Sequence, residues 1–483
     1  MTGITILGLG PGNPEQLTLE AWNVLQEAKE VYLRTSQHPT VAGLPEGLTV
    51  HSFDHLYEQE KDFSRVYERI VEQVIGLGHR PEGVVYAVPG HPNIAEATGP
   101  EIIRQAEALG MEVRVVEGLS FLETTFNALR IDPLPQTVIV DALELVSAYH
   151  PSFPPDVPAL IAQLYSPMVA GEVKITLMAQ YPDEHPVILV HAAGTPEEVV
   201  ETLPLYQIDQ SAHTGLLTTL YLPPVGDFTS FEGFQELIAH LRAPEGCPWD
   251  REQTHQTLRK NLLEETYEAL NAIDLDDPAE MQEEFGDLLL QIVLQTQIAS
   301  EEGDFNMTDV IRGIHTKLIR RHPHVFSDMD LSDADAVIKN WERIKAAERN
   351  ENQQQQKGLL DGIPTAMPAL SVADNYQRRA ARVGFDWPSV EGVFSKLEEE
   401  IGELKAAETA SARTEEFGDL LFALVNLARW WEIDAESALR ETNTKFRRRF
   451  AMIEAAAIAQ GKALSDMTLA EMDTIWEQSK KGE

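Results

Sequence analysis

The heptapeptide EEFGDLL spans residues 283–289 and recurs without change at 415–421. Similar segments flank both copies in the same order. LLEETYEAL (262–270) and KLEEEIGELK (396–405) precede them, and HTKLIRRHP (315–323) and NTKFRRRF (443–450) follow them. Apolar residues recur in these segments at helical spacing. The sequence therefore predicts that one all-α module has been duplicated.

Each module carries two acidic pairs at helical spacing. They are Glu265 with Glu268 and Glu284 with Asp287 in the first module, and Glu400 with Glu403 and Glu416 with Asp419 in the second. Residues three apart share a helix face, so two antiparallel helices bring four carboxylates into one small volume. Their repulsion is costly unless cations lie between them, and carboxylate oxygens suit hard ions such as Mg²⁺ or Mn²⁺. One isolated pair is typical of a solvated helix face, but the recurrence of both pairs favours two metal sites.

A di-iron centre is a second interpretation of the acidic helices. It needs Glu-x-x-His on two helices. The chain has this spacing at Glu252 and His255, and the second module has no counterpart. The Mg²⁺-type site is therefore the favoured interpretation.

Basic and aromatic residues follow the acidic pairs in both modules. They are Lys317, Arg321, Trp341 and Lys345 in the first, and Lys445, Arg449, Trp476 and Lys480 in the second. Metal-bound carboxylates together with Lys and Arg indicate phosphoryl or nucleotidyl chemistry. Alone, such basic residues are typical of an exposed helix face, and a Trp packs in a core as readily as it stacks on a base.

Charge and composition restrict the partners and the compartment. With 38 Lys+Arg against 78 Asp+Glu, the formal net charge is −40, which opposes binding to nucleic acid or to an anionic membrane. The single cysteine, Cys247, excludes an intrachain disulfide and suits a reducing compartment. A signal-peptide pattern and an apolar run of about 20 residues are both missing. We expect a soluble, cytoplasmic protein that binds neither nucleic acid nor membrane.

The chain before the modules alternates strand and helix patterns. Buried strands are predicted for ITILGLG (4–10), GVVYAVPG (83–90), EVRVVEG (112–118), QTVIVDA (136–142) and PVILVHAAG (186–194), and helical spacing covers 14–31 and 100–110. This alternation favours an α/β domain, and the polar tract ERNENQQQQKG (348–358) is typical of a linker. We therefore predict a multidomain chain, with an α/β domain at 1–222, helical modules at 231–350 and 366–483, and a linker at 351–365.

The segments GCPWDREQTH (246–255), LLEETYEAL, EEFGDLL and RRHPHVF (320–326) resemble the MazG family of nucleoside triphosphate pyrophosphohydrolases in its tandem form. The resemblance implies an all-α fold that dimerises. It also implies Mg²⁺-dependent hydrolysis of NTPs and dNTPs to monophosphate and pyrophosphate, with metal-activated water attacking the α-phosphorus. Of the second module's residues, it implies that Glu400, Glu403, Glu416 and Asp419 hold the metals, and that Lys396, Glu399, Lys445, Arg449, Trp476 and Lys480 contact the nucleotide.

The same resemblance assigns Glu265, Glu268, Glu284 and Asp287 to metal binding, and Lys317, Arg321, Trp341 and Lys345 to the nucleotide, in the first module. One position departs from the pattern. Lys396 stands four residues before Glu400, but Asn261 stands four before Glu265. The neighbouring Lys260 is turned by about 100° on a helix. We therefore expect the second module to be the stronger catalyst.

Five segments of the N-terminal domain resemble, in order, the motifs of the tetrapyrrole methylase family. They are GLGPGNPEQLT (8–18), YAVPGHPNIAEAT (86–98), VVEGLSF (115–121), VILVHAAGTPEE (187–198) and LLTTLYLPP (216–224). The resemblance implies two α/β subdomains with S-adenosylmethionine (SAM) in the cleft between them. The implied SAM contacts are Leu9, Pro11, Gly90, Ile94, Ser120 and Phe121. The family's usual Gly-Asp-Pro reads Gly90-His91-Pro92 here.

Three functions are compatible with these patterns. The first is a metal-dependent NTP pyrophosphohydrolase fused to a methylase-like domain. The second is a SAM-dependent methyltransferase of a small molecule, with the helical half as a dimerisation scaffold. The third is a nucleotide or SAM sensor without enzymatic activity. The acidic motifs of both modules favour the first, because a scaffold has no need of converging carboxylates.

Overall fold

The structure, a computed structural model, describes residues 3–60, 62–327, 329, 333, 336–337, 340–341, 343–344, 348, 358–364 and 366–481. The chain forms two compact units, Met1–Glu252 and Gln253–Glu483. The first contains two β-sheets with helices and the second is helical, so the predicted fold class is confirmed. Among the described helices, none has the length and apolar character needed to cross a membrane.

The first unit begins with a parallel sheet of five strands in the order β3-β2-β4-β1-β5. The strands are β1 (Ile4–Gly8), β2 (Glu30–Leu33), β3 (Thr49–Ser52), β4 (Val84–Val88) and β5 (Val113–Val116), and the helices are α1 (Leu19–Glu27), α2 (Asp54–Gln59), α3 (Phe63–Gly78) and α4 (Thr98–Ala108). In β1, Ile6 packs in one core with Ile70, and Leu7 packs in another with Leu25. Because both faces of the sheet are covered, β1 and β4 are continuous apolar runs, which makes them recognisable in the sequence.

A second sheet of five strands follows, in the order β6-β7-β10-β8-β9, and is mostly antiparallel. Its strands are β6 (Val138–Asp141), β7 (Ala159–Ala162), β8 (Pro186–His191), β9 (Val199–Pro204) and β10 (Thr218–Leu222), and the helices of this part are α5 (Phe121–Leu129), α6 (Ala142–Val146) and α7 (Pro167–Leu177). Ile161, Leu189 and Leu220 of the central strands share one core with Val173 of α7. Two α/β subdomains are therefore present, as predicted.

The helix predicted over 14–31 is wrong in its extent. Pro14–Gln16 forms one 3-10 turn, α1 ends at Glu27, and β2 begins at Glu30. The helical spacing continues into residues whose backbone pairs with β3 and β4 instead. The sequence patterns also do not indicate β2, β3, β7, β9 and β10. β3 and β9 are edge strands, where partly polar residues weaken the strand pattern.

The first unit includes two helices beyond its sheets, α8 (Phe231–Arg242) and α9 (Pro248–Glu252). The Ser230 hydroxyl caps α8 by accepting from Gly233 N at 3.0 Å, and it donates to the carboxylate of Asp156. These contacts hold the start of α8 against the α/β part of the unit. The compact unit thus extends beyond residue 222, the end of the predicted α/β domain.

The second unit contains the predicted helical modules from residue 253 onward. Its helices are α10 (Arg259–Asp274), α11 (Pro278–Glu302), α12 (Met307–Arg321), α13 (Pro323–Phe326), α14 (Ala369–Arg382), α15 (Val390–Ala406), α16 (Ala410–Trp430), α17 (Ala435–Ala459) and α18 (Leu469–Lys481). The pair α10–α11 in the first module corresponds to α15–α16 in the second, and the members of each pair pack together. Arg440 Nε lies 2.8 Å from Asp274 Oδ2 and joins α17 to α10. Most of the predicted linker (351–357 and 365) lies outside the described residues.

Candidate functional site

The first acidic site lies between α10 and α11, which the short connection 275–277 joins. Glu265 and Glu268 project from α10 and Glu284 projects from α11, and one carboxylate oxygen of each lies within 4.8 Å of the others. The charge of Asp287, the fourth predicted ligand, acts on Glu265 and Glu284. The structure therefore brings the acidic residues predicted for the first module to one place.

The second acidic site lies between α15 and α16 in the same way. Oxygens of Glu400, Glu416 and Asp419 lie within 4.8 Å of one another. Glu403 is exposed, and its charge acts on Glu416. In each module, three of the four predicted carboxylates lie at mutual ligand distance. The fourth is Asp287 in the first module and Glu403 in the second.

Negative charge accumulates in both sites and changes the titration of their carboxyl groups. Desolvation, followed by the charges of Asp287 and Glu268, raises the pKa of Glu265. Desolvation and neighbouring carboxylates also raise the pKa of Glu284 and of Glu416. These carboxyl groups therefore hold protons more readily than isolated ones, because ionising all of them places like charges side by side.

Each site contains a carboxylate oxygen that has no hydrogen-bond partner among the described residues. These oxygens are Glu284 Oε2 and Glu400 Oε2, and both are shielded from solvent. Glu400 as a whole is only 4% exposed. A buried oxygen without a donor is costly, but it is a ready ligand for a hard cation that is smaller than water. The residues present therefore fit a divalent cation such as Mg²⁺ or Mn²⁺.

Lys396 distinguishes the second site from the first. Its Nζ lies 2.8 Å from Glu399 Oε1 and 2.7 Å from Glu400 Oε1. The hydrogen bonds to Glu399 and Glu400 raise the pKa of Lys396. Asn261 holds the equivalent position in the first module, where it is half-buried and brings no charge. The two sites therefore differ by one ammonium group at this position.

Each module stacks an arginine on its tryptophan. Arg321 Cζ lies 5.2 Å from the ring centre of Trp341, and Arg449 Cζ lies 5.6 Å from that of Trp476. Phe446, which the sequence patterns do not indicate, packs 5.1 Å from Trp476. The two modules therefore match in the geometry of these side chains as well as in sequence.

Of the other predicted nucleotide contacts, Lys317 and Lys445 are exposed, Lys480 pairs with Glu477 at 2.5 Å, and Lys345 lies outside the described residues.

Glu348 is a further residue of the first module that the sequence analysis missed. Its carboxylate accepts from Arg321 Nη2 at 2.6 Å and from Arg320 Nε at 2.8 Å. The side chains of Arg321 and Glu348 are 12% and 13% exposed. Glu348 and Glu483 stand at the same distance in sequence after Trp341 and Trp476, respectively. This repeated spacing could have indicated Glu348 from the sequence. Glu483 lies outside the described residues.

In the first unit, the turns after β1, β4 and β5 meet at glycines. Gly10 N donates to Gly90 O at 3.2 Å, and Gly90 N donates to Gly10 O at 2.8 Å. A Cβ added to Gly118 would lie 2.5 Å from Gly90 O, and a Cβ on Gly8 would lie 2.6 Å from the same oxygen. Only glycine fits at Gly8 and Gly118. The ends of three neighbouring strands therefore form one tight cradle, which we call the glycine cradle.

The six residues predicted to contact SAM all follow these three strands. Leu9 and Pro11 follow β1, Gly90 and Ile94 follow β4, and Ser120 and Phe121 follow β5. The carboxyl ends of neighbouring parallel strands meet at one edge of a sheet, which is where ligands bind in open α/β folds. The structure therefore brings the predicted residues together at that edge.

His91 takes the place of the Asp that is usual in the second methylase motif. Its Nδ1 accepts from Asn93 N at 3.1 Å. An Asp side chain makes the same kind of bond to the backbone two residues on. His91 therefore preserves the turn after Gly90.

A buried polar network lies at the same edge of the sheet and was not predicted. Arg34 Nη1 lies 2.6 Å from Glu96 Oε2, and the Glu96 side chain is 1% exposed. Glu96 Oε1 also accepts from Thr98 N at 2.9 Å. Burial and the charge of Arg34 lower the pKa of the nearby His38 to about 4. The Arg34–Glu96 pair ties the turn after β4 to the end of β2.

Comparisons with known proteins agree with this organisation. Residues 3–209 match the family model of the tetrapyrrole (corrin/porphyrin) methylases, and residues 253–326 match that of the MazG nucleotide pyrophosphohydrolase domain. Protein YabN of Bacillus subtilis is 43% identical over 494 residues, which cover 99% of both chains. The nucleoside triphosphate pyrophosphohydrolase/pyrophosphatase MazG of Thermotoga maritima is 45% identical over 253 residues, 52% of this chain and 96% of its own. The nucleoside triphosphate pyrophosphohydrolase of Escherichia coli K12 is 44% identical over 253 residues, 51% of this chain and 95% of its own.

These findings define a fusion of a tetrapyrrole methylase-type domain with a MazG-type helical region. The chain belongs to the family of such fusion proteins that includes YabN, because the similarity to YabN runs through nearly its whole length. Both family resemblances inferred from the motifs are therefore confirmed, and so is the prediction that the chain is an enzyme.

Removing one carboxylate from each acidic site is expected to stabilise the metal-free protein. The raised pKa values of Glu284 and Glu416 mean that the folded state gains stability as the pH falls through those values and loses it at neutral pH. A Glu284→Gln/Glu416→Gln variant should therefore have a higher thermal midpoint than the wild type in EDTA at pH 7. It should also lose most of the rise in midpoint that Mg²⁺ gives the wild type.

Differential scanning calorimetry of both proteins, with EDTA and with Mg²⁺, measures these changes. Glu441→Gln, on an exposed position of α17, is the matched control and should leave both midpoints unchanged. A lower midpoint of the double variant in EDTA would show that the carboxylates do not repel one another in the folded protein.

Proposed function

We propose that the helical half hydrolyses nucleoside triphosphates, both NTPs and dNTPs, to the monophosphate and pyrophosphate. The observation that carries this proposal is the repeated acidic site: three carboxylates at mutual ligand distance, one of them with a buried oxygen that has no partner among the described residues. The pyrophosphohydrolase relatives and the MazG domain match support the same reaction. A helix scaffold without catalysis gives no reason for such sites in both modules.

Divalent cations such as Mg²⁺ or Mn²⁺ supply charge neutralisation for phosphate oxygens and make water a better nucleophile at neutral pH. Glu400, Glu403, Glu416 and Asp419 would hold them in the second module, and Glu265, Glu268, Glu284 and Asp287 in the first. In the reaction, the oxygen of water bonds to the α-phosphorus and the bond from that phosphorus to the α–β bridging oxygen breaks. Pyrophosphate leaves with the bridging oxygen, and the proton of water passes to solvent.

The basic and aromatic residues would bind the nucleotide. Arg449, stacked on Trp476 in the second module, holds a planar guanidinium group in a fixed orientation, as phosphate recognition requires. Lys445, Lys480, Lys396 and Glu399 complete the nucleotide site that we propose there. In the first module, Lys317, Arg321, Trp341 and Lys345 take the same roles, but no lysine stands at position 261. This difference favours the second module as the stronger catalyst.

We expect that Glu403→Gln lowers hydrolysis by at least about 100-fold, because losing a metal-supporting group costs roughly this much. Glu268→Gln, its counterpart in the first module, should leave most of the activity. Purified protein, Mg²⁺ and each of the eight NTPs and dNTPs are incubated, and the products are separated by chromatography. In water enriched in ¹⁸O, the label should enter the monophosphate.

The absence of product from the wild type with both Mg²⁺ and Mn²⁺ would refute the hydrolase proposal. Label in the pyrophosphate would show attack at the β-phosphorus instead. If Glu268→Gln removes the activity and Glu403→Gln does not, the first module is the catalyst.

We propose in addition that the first unit binds SAM at the glycine cradle, which is the second candidate function. The observation in its favour is the close approach of Gly8, Gly90 and Gly118 at the ends of adjacent strands, together with the open space beside Gly90, where an added Cβ would meet no atom within 4 Å. Such a glycine lets a ligand approach the backbone closely. The Leu9, Pro11, Ile94, Ser120 and Phe121 positions surround the same edge. Transfer of a methyl group to a small molecule is the reaction that SAM would support there.

Gly118→Ala is expected to abolish binding of S-adenosylhomocysteine, measured by isothermal titration calorimetry. Its Cβ would lie 2.5 Å from Gly90 O, so the turn must move. Gly76→Ala, in α3 where no atom lies within 4 Å of the added carbon, should bind like the wild type. Because the proposed hydrolase sites lie in the other unit, hydrolysis should persist in Gly118→Ala, and an unchanged circular dichroism spectrum should show that the first unit keeps its fold. Normal binding by Gly118→Ala would exclude the cradle as the site.

We also propose that the chain forms a homodimer through its helical half. Phe285, Leu289 and Ile292 form an exposed stripe on α11, and Phe417, Leu421 and Leu424 repeat it on α16; all six are 39% to 53% exposed. Contiguous exposed apolar residues mark an interaction surface. A second copy supplies the same stripes and can cover them in a two-fold arrangement.

Sedimentation equilibrium is expected to give twice the mass of one chain. A Leu289→Glu/Leu421→Glu variant should give the mass of one chain, because each charge would lie in the covered stripe. Ile458→Glu, at a lone position that is 79% exposed, should remain a dimer. A monomeric wild type, or a dimeric double variant, would contradict the proposed interface.

A further inference from the structure

Lys396 places an ammonium group against one carboxylate of the second acidic site. Its ammonium group lies 2.7 Å from Glu400 Oε1, while the other oxygen of the same carboxylate, Oε2, is buried without a partner among the described residues. The Glu400 side chain is 5% exposed and Lys396 is 36% exposed. Lys396 is therefore the more exposed member of the pair, and it neutralises the most buried of the three clustered carboxylates.

The first site contains the same carboxylates without this ammonium group. Asn261 stands where a lysine would reach Glu265, and Lys260 is exposed on another side of α10. In this site, Glu265, Glu268 and Glu284 lie at mutual ligand distance. The two modules of one chain thus bring the same set of carboxylates together, one with and one without a lysine four residues before the first of them.

We propose that Lys396 is a resident counter-ion that a divalent cation must displace from Glu400, and that the first site, with Asn261, binds the cation more tightly because nothing competes for it. This inference rests on the proposed metal role of the two sites. The displaced ammonium group is then free to turn to the triphosphate, which is the nucleotide role proposed for Lys396 above. The second module therefore binds the cation more weakly than the first, but it has an additional ammonium group that can bind the substrate.

The expected difference in cation affinity follows from the hydrogen bond between Lys396 and Glu400 that the cation has to replace. A charge-assisted hydrogen bond in a partly buried place has to be broken before Glu400 Oε1 is available. Breaking such a bond, together with the repulsion between the ammonium group and the entering cation, corresponds to at least about a tenfold loss of affinity. The wild type should therefore show two classes of sites, the tighter one in the first module.

A titration of the full chain with Mn²⁺, in which electron paramagnetic resonance measures the free ion, tests this without reference to activity. Lys396→Asn is expected to tighten the weaker class about tenfold, and Asn261→Lys to weaken the tighter class by a similar factor. Glu268→Gln and Glu403→Gln assign the classes, because each should weaken only the class of its own module. Lys405→Asn, which removes an exposed charge from the same helix, is the matched control and should change neither class.

The outcomes separate this inference from the function on which it rests. Unchanged or weaker Mn²⁺ binding by Lys396→Asn overturns the counter-ion role alone, and weaker binding would mean that Lys396 orders Glu400 for the metal. No binding of Mn²⁺ by the wild type overturns the metal-dependent hydrolase as well. If Asn261→Lys does not fold, the Lys396→Asn titration decides the question by itself.

Discussion

Repulsion between converging carboxylates is the constraint around which the helical half is built. The short connection between α10 and α11, and the spacing of the acidic residues along each helix, place Glu265, Glu268 and Glu284 together. Like-charge pairs on a helix cost about 0.2–0.5 kcal/mol each. Burial of a single large apolar side chain contributes about 1.5–3 kcal/mol, and α11 buries Val293, Leu294 and Ile298 almost completely. Packing farther along the helices therefore outweighs the repulsion and holds the carboxylates where a cation can use them.

In the first unit, the candidate site depends on glycines, which have no side chain, rather than on charge. Gly8 and Gly118 let the ends of β1, β4 and β5 come within contact distance, and a methyl group at either position would separate them. The Arg34–Glu96 pair supports the same edge from β2. Two different constraints in one chain, steric in the α/β unit and electrostatic in the helical unit, thus define two kinds of candidate site.

The sequence predicted those features that rest on local periodicity or on repetition. Strands buried on both faces, such as β1 and β4, were visible as apolar runs, and the acidic pairs were visible because the duplication repeated them in register. Contacts between residues that are distant in sequence were not visible. Arg34 meets Glu96 only because of how the chain folds back on itself, and no spacing in the sequence reveals that pair. The helix predicted over 14–31 failed for the same reason, since pairing with β3 and β4 decides the conformation of β2.

In each module, one residue proposed to bind the substrate forms an ion pair with a protein carboxylate. Lys396 neutralises Glu400, and Glu348 neutralises Arg321. A chain of net charge −40 repels a free triphosphate at long range, and the internal pairs reduce the attraction that Lys396 and Arg321 can exert on it. On the proposed mechanism, Lys396 would leave Glu400 for the triphosphate once a divalent cation neutralises that carboxylate, and Arg321 would exchange Glu348 for a phosphate. Internal pairing stabilises these charged residues in the folded protein, and the exchange at Lys396 would couple nucleotide binding to metal binding in the second module.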